Sequence, residues 1–123
     1  DNYEFSDNKL YVKDISKLDK YLKSFTEIIF KERLDKIYST FESVPYPKLK
    51  IRRMTTRWGV CNKKDKSITL NSELIKMDLK YLDYVIVHEL SHFIYFDHSK
   101  NFWATVSKYC PKYKELRKEM REW

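Results

Sequence analysis

The sequence predicts an α+β fold: a long N-terminal helix, a small and mainly antiparallel sheet of about three strands, a central helix, and C-terminal helices. Three observations predict it. Residues 17–43 place apolar side chains at helical spacing, residues 48–71 hold short alternating runs, and residues 79–96 are apolar nearly all round. One glycine in 123 residues and a charged fraction of 35% fit a helix-rich, folded chain. That length fits a single domain over residues 1–123.

Taken in order, residues 1–15 read as an extended or hairpin-like start with Leu10-Tyr11-Val12 as its apolar piece. Leu18, Tyr21, Leu22, Phe25, Ile28 and Ile29 then form one helical stripe, which continues through Phe30, Leu34, Ile37, Tyr38 and Phe41. Val44-Pro45-Tyr46-Pro47 stops the helix, since proline restricts both itself and the residue before it. Leu49 and Ile51 alternate with Lys48, Lys50 and Arg52 as a half-buried strand. Further strands are expected over Arg57–Cys61 and Ser67–Asn71, joined by a polar loop over residues 62–66. Asp78 is placed to cap a buried helix running from Leu79 to Phe96. Ser99 is placed to cap the next helix, with Phe102, Trp103, Val106 and Tyr109 inward. Pro111 fits the first turn of a last helix, whose apolar positions are Tyr113, Leu116, Met120 and Trp123.

The net charge of +7 permits contact with nucleic acid or another polyanion, although a lysine-rich solvated surface is the plainer account of it. Cys61 and Cys110 do not make a disulfide framework. With no signal segment at the start, this points to a reduced, cytoplasmic protein. No run reaches the ~18 apolar residues of a membrane span. The chain opens at Asp1 without methionine, as a trimmed chain or fragment does.

The chemistry concentrates in His88-Glu89-Leu90-Ser91-His92, an HExxH motif. On a helix, residues four apart share a face, so two imidazoles can grip one ion from one side. Histidines on a buried helix need partners, and a metal supplies one. The third and last histidine of the chain, His98, follows six residues on. An unbroken helix would rotate it by about 240° from His92, so the chain must turn near Phe96-Asp97 for His98 to join. His88, His92 and His98 then make the three-ligand set of a catalytic zinc site, with the fourth position left to water. Glu89 is the general base that takes the proton from that water and later passes it to the leaving amine. Asp97 and Asp83 are candidates to orient a ligand histidine. The turn holds no glycine, unlike the metzincin spacing, which indicates a different zincin branch.

Arg57-Trp58-Gly59-Val60-Cys61, Ile68-Thr69-Leu70-Asn71, Tyr84 through His92, and Asp97-His98-Ser99-Lys100-Asn101-Phe102-Trp103 together resemble the YgjP-like metallopeptidase family. The likeness runs over about residues 50–123 in order and spacing, far more specific than HExxH alone. Val60 stands where the family commonly has serine, and Asp97 where it commonly has asparagine. The resemblance implies a minimal zincin-like fold and a zinc-dependent peptidase, with His88, His92 and His98 as ligands and Glu89 as base. It also implies that the Ile68–Asn71 strand borders the cleft and pairs with an extended substrate. Arg57, Trp58 and Asn71 have either a substrate-lining or a purely structural role.

A cytoplasmic zinc metallopeptidase acting on protein or peptide is the leading expectation. Two rivals stand beside it. Related SprT-like and WLM groups include proteases of DNA-bound proteins, a use for the +7 charge. The other rival is a non-catalytic zinc-stabilised binding module, with Cys61 or Cys110 closing the coordination.

Overall fold

The structure, a computed structural model, describes residues 3–6, 9–12 and 17–121. The position of Trp123 lies outside the described residues, as do residues 13–16. Strands β1 (Tyr3–Ser6) and β2 (Lys9–Val12) form an antiparallel hairpin, as the start of the sequence implied.

Helix α1 (Leu18–Tyr38) buries Tyr21, Phe25, Ile29, Phe30 and Leu34. It ends five residues earlier than the expected helix, which ran to residue 43. The hydroxyls of Ser39 and Thr40 donate to the carbonyls of Lys36 and Ile37, at 2.6 and 2.7 Å, and so satisfy the helix end. Phe41 keeps its apolar role from outside the helix, stacking on Tyr109 with ring centroids 3.9 Å apart.

The main sheet comprises β3 (Lys48–Arg52), β4 (Gly59–Asn62) and β5 (Ser67–Asn71) in the order β3-β5-β4. β4 and β5 pair antiparallel around a polar turn, in which Asn62 Oδ1 accepts from the Asp65 amide at 2.9 Å. β3 pairs with β5 in parallel, so the sheet is mixed. Alternation of Leu49 and Ile51 reports which face is buried, not strand direction, so the sequence did not reveal the parallel pairing. β4 begins two residues later than expected, because the Arg57 carbonyl is taken by the side chain of Asn71.

This order corrects the expectation that the Ile68–Asn71 strand borders the cleft for a substrate. β5 is the middle strand, hydrogen-bonded on both sides and buried at all five positions. Among the described residues, the strand with a free edge beside the cleft is β4.

A 3₁₀ turn (Ser72–Lys76) leads to α2 (Leu79–Ser91), the central helix. Asp78 caps it by accepting from the Lys80 amide at 3.2 Å. From Tyr84 to Ser91 every residue is buried, with α1, β4, α3 and α4 packed around the helix. Arg33 of α1 clasps Asp83 of α2 through two hydrogen bonds, at 2.9 and 2.6 Å. Asp83 is thus engaged away from the histidines. Helices α3 (Lys100–Tyr109) and α4 (Tyr113–Glu119) close the core with Phe102, Val106, Leu116 and Met120. Pro111 precedes α4 by two residues rather than opening it, in the turn after the Cys110 cap. No described helix is long and apolar enough to cross a membrane.

Candidate metal centre

The sequence carries α2 to Phe96, but the helix ends at Ser91 with His92 as its cap. The amides of His92, Phe93 and Ile94 donate to the carbonyls of Glu89, Leu90 and Ser91. Each bond spans three residues instead of four, which tightens the last turn and winds the chain out of the helix. Residues 93–99 then double back, and Ser99 starts α3 by accepting from the Phe102 amide at 3.3 Å. The break falls five residues before its expected place, and its consequence is the expected one: His98 returns to the face of His88 and His92.

The three imidazoles offer ring nitrogens that all lie within 4.8 Å of one another. His88 Nε2 and His98 Nε2 stand 3.3 Å apart. Two nitrogens bound tetrahedrally at ~2.0–2.1 Å to one zinc are separated by about the same distance. Without a shared proton or cation, two lone pairs so close would repel. His92 Nδ1 is 3.3 Å from the Tyr95 carbonyl, an oxygen that only accepts. The proton therefore sits on Nδ1, and Nε2 keeps the lone pair a metal needs. His88 Nδ1 lies 3.4 Å from the Tyr84 hydroxyl, one turn earlier on α2. The donor set fits a borderline-soft cation such as zinc.

Packing fixes these rings. Phe102 is fully buried and touches all three: stacked on His92 at 4.5 Å, and edge-on to His88 at 5.1 Å and His98 at 5.0 Å. Trp103 stacks on His98 at 5.6 Å, with Tyr113 and the Arg117 guanidinium packed against it. Burial, reinforced by the two neighbouring histidines, pushes the His88 imidazole down to about 2. Burial also lowers His92 and His98. The rings are thus held neutral, the form in which imidazole binds a metal.

Glu89 is 2% exposed, yet lines the same cleft. Burial raises its carboxyl to about 8, against the opposing pull of Arg57. The cleft has a volume of 550 Å³, walled by Thr56, Arg57, Gly59, Val60 and Cys61 on one side and by the histidines and Phe96 on the other. Glu89 is the sole acid among the described residues of its lining.

Of the other sequence candidates, Arg57 reaches the cleft, while Trp58 and Asn71 stand behind it. Trp58 packs against the core and donates from Nε1 to the Met120 carbonyl at 3.4 Å. Asn71, 3% exposed, donates to the carbonyls of Met54 and Arg57 at 2.9 and 2.8 Å and accepts from the Glu73 amide at 3.0 Å. It ties down the loop that carries Arg57. Cys61 borders the cleft but is not part of the histidine cluster, and burial lifts its thiol to about 12. Cys110 borders a separate hollow beside Arg33 and Asp83. Tyr84, Tyr95 and Phe102 were not singled out as site residues from sequence. The one signal available was the four-residue spacing of Tyr84 to His88.

A family model for the YgjP-like metallopeptidase domain matches residues 2–123. The chain belongs to the YgjP-like metallopeptidase family. It is an enzyme of the hydrolase class, and His88, His92 and His98 form a group that could hold a metal ion. Two crystal structures of metallopeptidase zymogens share the fold. Abylysin of Pyrococcus abyssi is 25% identical at a TM-score of 0.59, over 77% of this chain and 90% of that one. Jannalysin of Methanocaldococcus jannaschii is 22% identical at a TM-score of 0.57, over 77% of this chain and 92% of that one, and supports the fold alone. No curated protein sequence matches the chain.

Proposed function

We propose that this metallopeptidase holds one zinc ion on His88, His92 and His98 and hydrolyses peptide bonds with Glu89 as general base. The observation that carries this reading is the convergence of three neutral imidazoles beside a single buried carboxylate in an open cleft. When bound, zinc supplies a Lewis acid that acidifies water and polarises the scissile carbonyl. The chain's own residues do the rest. Glu89 accepts the proton of the attacking water at its carboxylate and delivers it to the leaving amine. A proton affinity raised toward neutrality suits a group that must both take and return a proton. Arg57, the cation of the cleft lining, favours the ionised form of Glu89 and offers donors to a substrate carbonyl. The free edge of β4 supplies backbone groups for an extended peptide, and Phe96, 64% exposed at the rim, supplies an apolar contact.

A second reading directs the same chemistry to nucleoprotein. The exposed Arg52, Arg53 and Arg57 favour it, since they lie on the segment that leads into the cleft. Binding of DNA would then weaken steeply with salt.

Hydrolysis of an unstructured protein by zinc-loaded wild type and zinc-loaded Glu89→Gln tests the proposal. The variant retains its metal and loses a factor of about 10²–10⁴ in rate. Equal rates for the two proteins contradict the mechanism. Added DNA accelerates the wild type if nucleoprotein is the substrate, and leaves it unchanged otherwise.

A further inference from the structure

The sequence contains a single glycine, Gly59, the first residue of β4. Backbone conformation does not account for it. Gly59 does not have a positive φ. The described positions that do, Ser43, Lys66 and Arg121, carry ordinary side chains. Space accounts for it instead. A Cβ at residue 59 would stand 2.9 Å from Val85 Cγ1 and 3.0 Å from both Cγ and Oε2 of Glu89. Contacts that short force a neighbour to move. Val85 is fully buried, and its helix is packed on every side. Glu89 is buried too, but its side chain turns about three torsions, and its one open direction is the cleft. The carboxylate is therefore the group that a side chain at 59 would push.

We propose that Gly59 is the positioning residue for Glu89: the bare Cα of β4 forms the wall against which the carboxylate rests, and sets where it meets water and substrate. The inference deepens the reading of Glu89 as base and rests on it. It also explains why β4 follows α2 so closely here. The strand that offers its free edge to a peptide is the strand that seats the base, so the substrate backbone and the proton acceptor share one reference surface. The metal ligands lie on α2 and the turn after it, and their rings are held by Phe102, Trp103, Tyr84 and the Tyr95 carbonyl rather than by Gly59.

The test uses Gly59→Ala, Val85→Ala and the double variant, each zinc-loaded, beside wild type and Glu89→Gln. Gly59→Ala keeps zinc affinity within about twofold of wild type, while kcat falls about 10-fold with KM little changed, since the Glu89 contacts of 3.0 Å call for a smaller shift than the ~1 Å that costs about 100-fold. The double variant removes the clash with Val85 and leaves the one with Glu89. It folds if the single variant does not, and its kcat stays low. A crystal structure of Gly59→Ala or of the double variant shows the Glu89 carboxylate displaced toward the cleft. Recovery of kcat in the double variant, or an unmoved carboxylate, overturns the proposal. Equal hydrolysis by wild type and Glu89→Gln refutes Glu89 as the base, and Gly59 as its positioning residue with it. An unmoved carboxylate beside an inactive Glu89→Gln refutes the Gly59 role alone.

Discussion

His88 and Glu89 are each 2% exposed on a helix packed from every side, whereas His98 reaches the same point from an exposed turn between α2 and α3. On the α2 side, position comes from the core. The His88 ring cannot move without disturbing Phe102, and the Glu89 carboxylate, resting on β4, is open only toward the cleft. On the turn side, position comes from local devices: the tightened end of α2, the Ser99 cap, and Trp103 stacked on His98. The difference teaches that stability and metal affinity are separable along the site. Loss of the buried α2 ligand His88 costs both, and loss of the turn ligand His98 costs metal alone.

The sharpest way to break that distinction compares His88→Ala with His98→Ala. Both lose zinc affinity by a factor of 100 or more, on the order of the loss of a direct ligand. In the metal-free proteins, His88→Ala loses about 1–3 kcal/mol because its ring fills buried space. His98→Ala stays within ~0.5 kcal/mol of wild type. Urea unfolding and zinc titration of the two variants read these values. Equal destabilisation would mean that the turn is as much a part of the core as α2 is.

Asn71→Ala probes the loop that brings Arg57 to the cleft. It strips partners from Met54, Arg57 and Glu73 and leaves part-buried backbone groups unpaired, a cost of about 1–2 kcal/mol. Zinc affinity is unchanged, since the ligands lie elsewhere. Denaturant unfolding beside a zinc titration checks both halves. Ser99→Ala is milder: loss of the cap costs about 1 kcal/mol. Zinc affinity drops with it, because the cap begins the helix that returns His98. Were zinc affinity untouched, Trp103 alone would hold the ring.

The smallest expected effect is a pH dependence, and it too divides by region. Burial lowers all three imidazoles, His88 to about 2. Below an ordinary imidazole value of ~6.5, the unfolded chain therefore binds protons that the folded one refuses, and stability falls as pH drops. Burial raises Glu89 to about 8, so the folded protein keeps a proton that an unfolded glutamate has released above ~4.5. That contribution is present in acid and is lost as pH rises through 8. Where the two windows overlap they oppose, three imidazoles against one carboxylate. The metal-free protein is thus most stable near neutrality, which a series of urea midpoints from pH 5 to 9 measures. Zinc adds stability near neutral pH and steepens the acid-side loss, because it holds the folded imidazoles neutral while the unfolded ones take protons.

Much of this was legible because it rests on residue spacing. The four-residue step from His88 to His92 fixes a shared helical face, and the six-residue step to His98 demands a break. Phe102 and Val106 were likewise readable as core from their spacing. The end of α2 was not, since Phe93, Ile94 and Phe96 continue an apolar run after the helix has unwound into a turn. Apolarity marks what is sticky, not where i→i−4 hydrogen bonding stops. The parallel pairing of β3 and the central place of β5 were hidden for a related reason. Strand order is a long-range choice, and alternation within one strand does not report it. Asn71 and Gly59 illustrate the site's own limit: one knots a loop and the other presses on a carboxylate, and neither contact follows a local period.

The measurement that addresses the central claim most directly is the zinc-edge X-ray absorption spectrum of the zinc-loaded protein, with its metal stoichiometry. One zinc per chain is predicted, surrounded by three imidazole nitrogens and one further light atom at ~2.0–2.1 Å. A sulfur scatterer at ~2.3 Å would place Cys61 or Cys110 on the metal. Such a closed, structural site would contradict a peptidase built on His88, His92, His98 and Glu89.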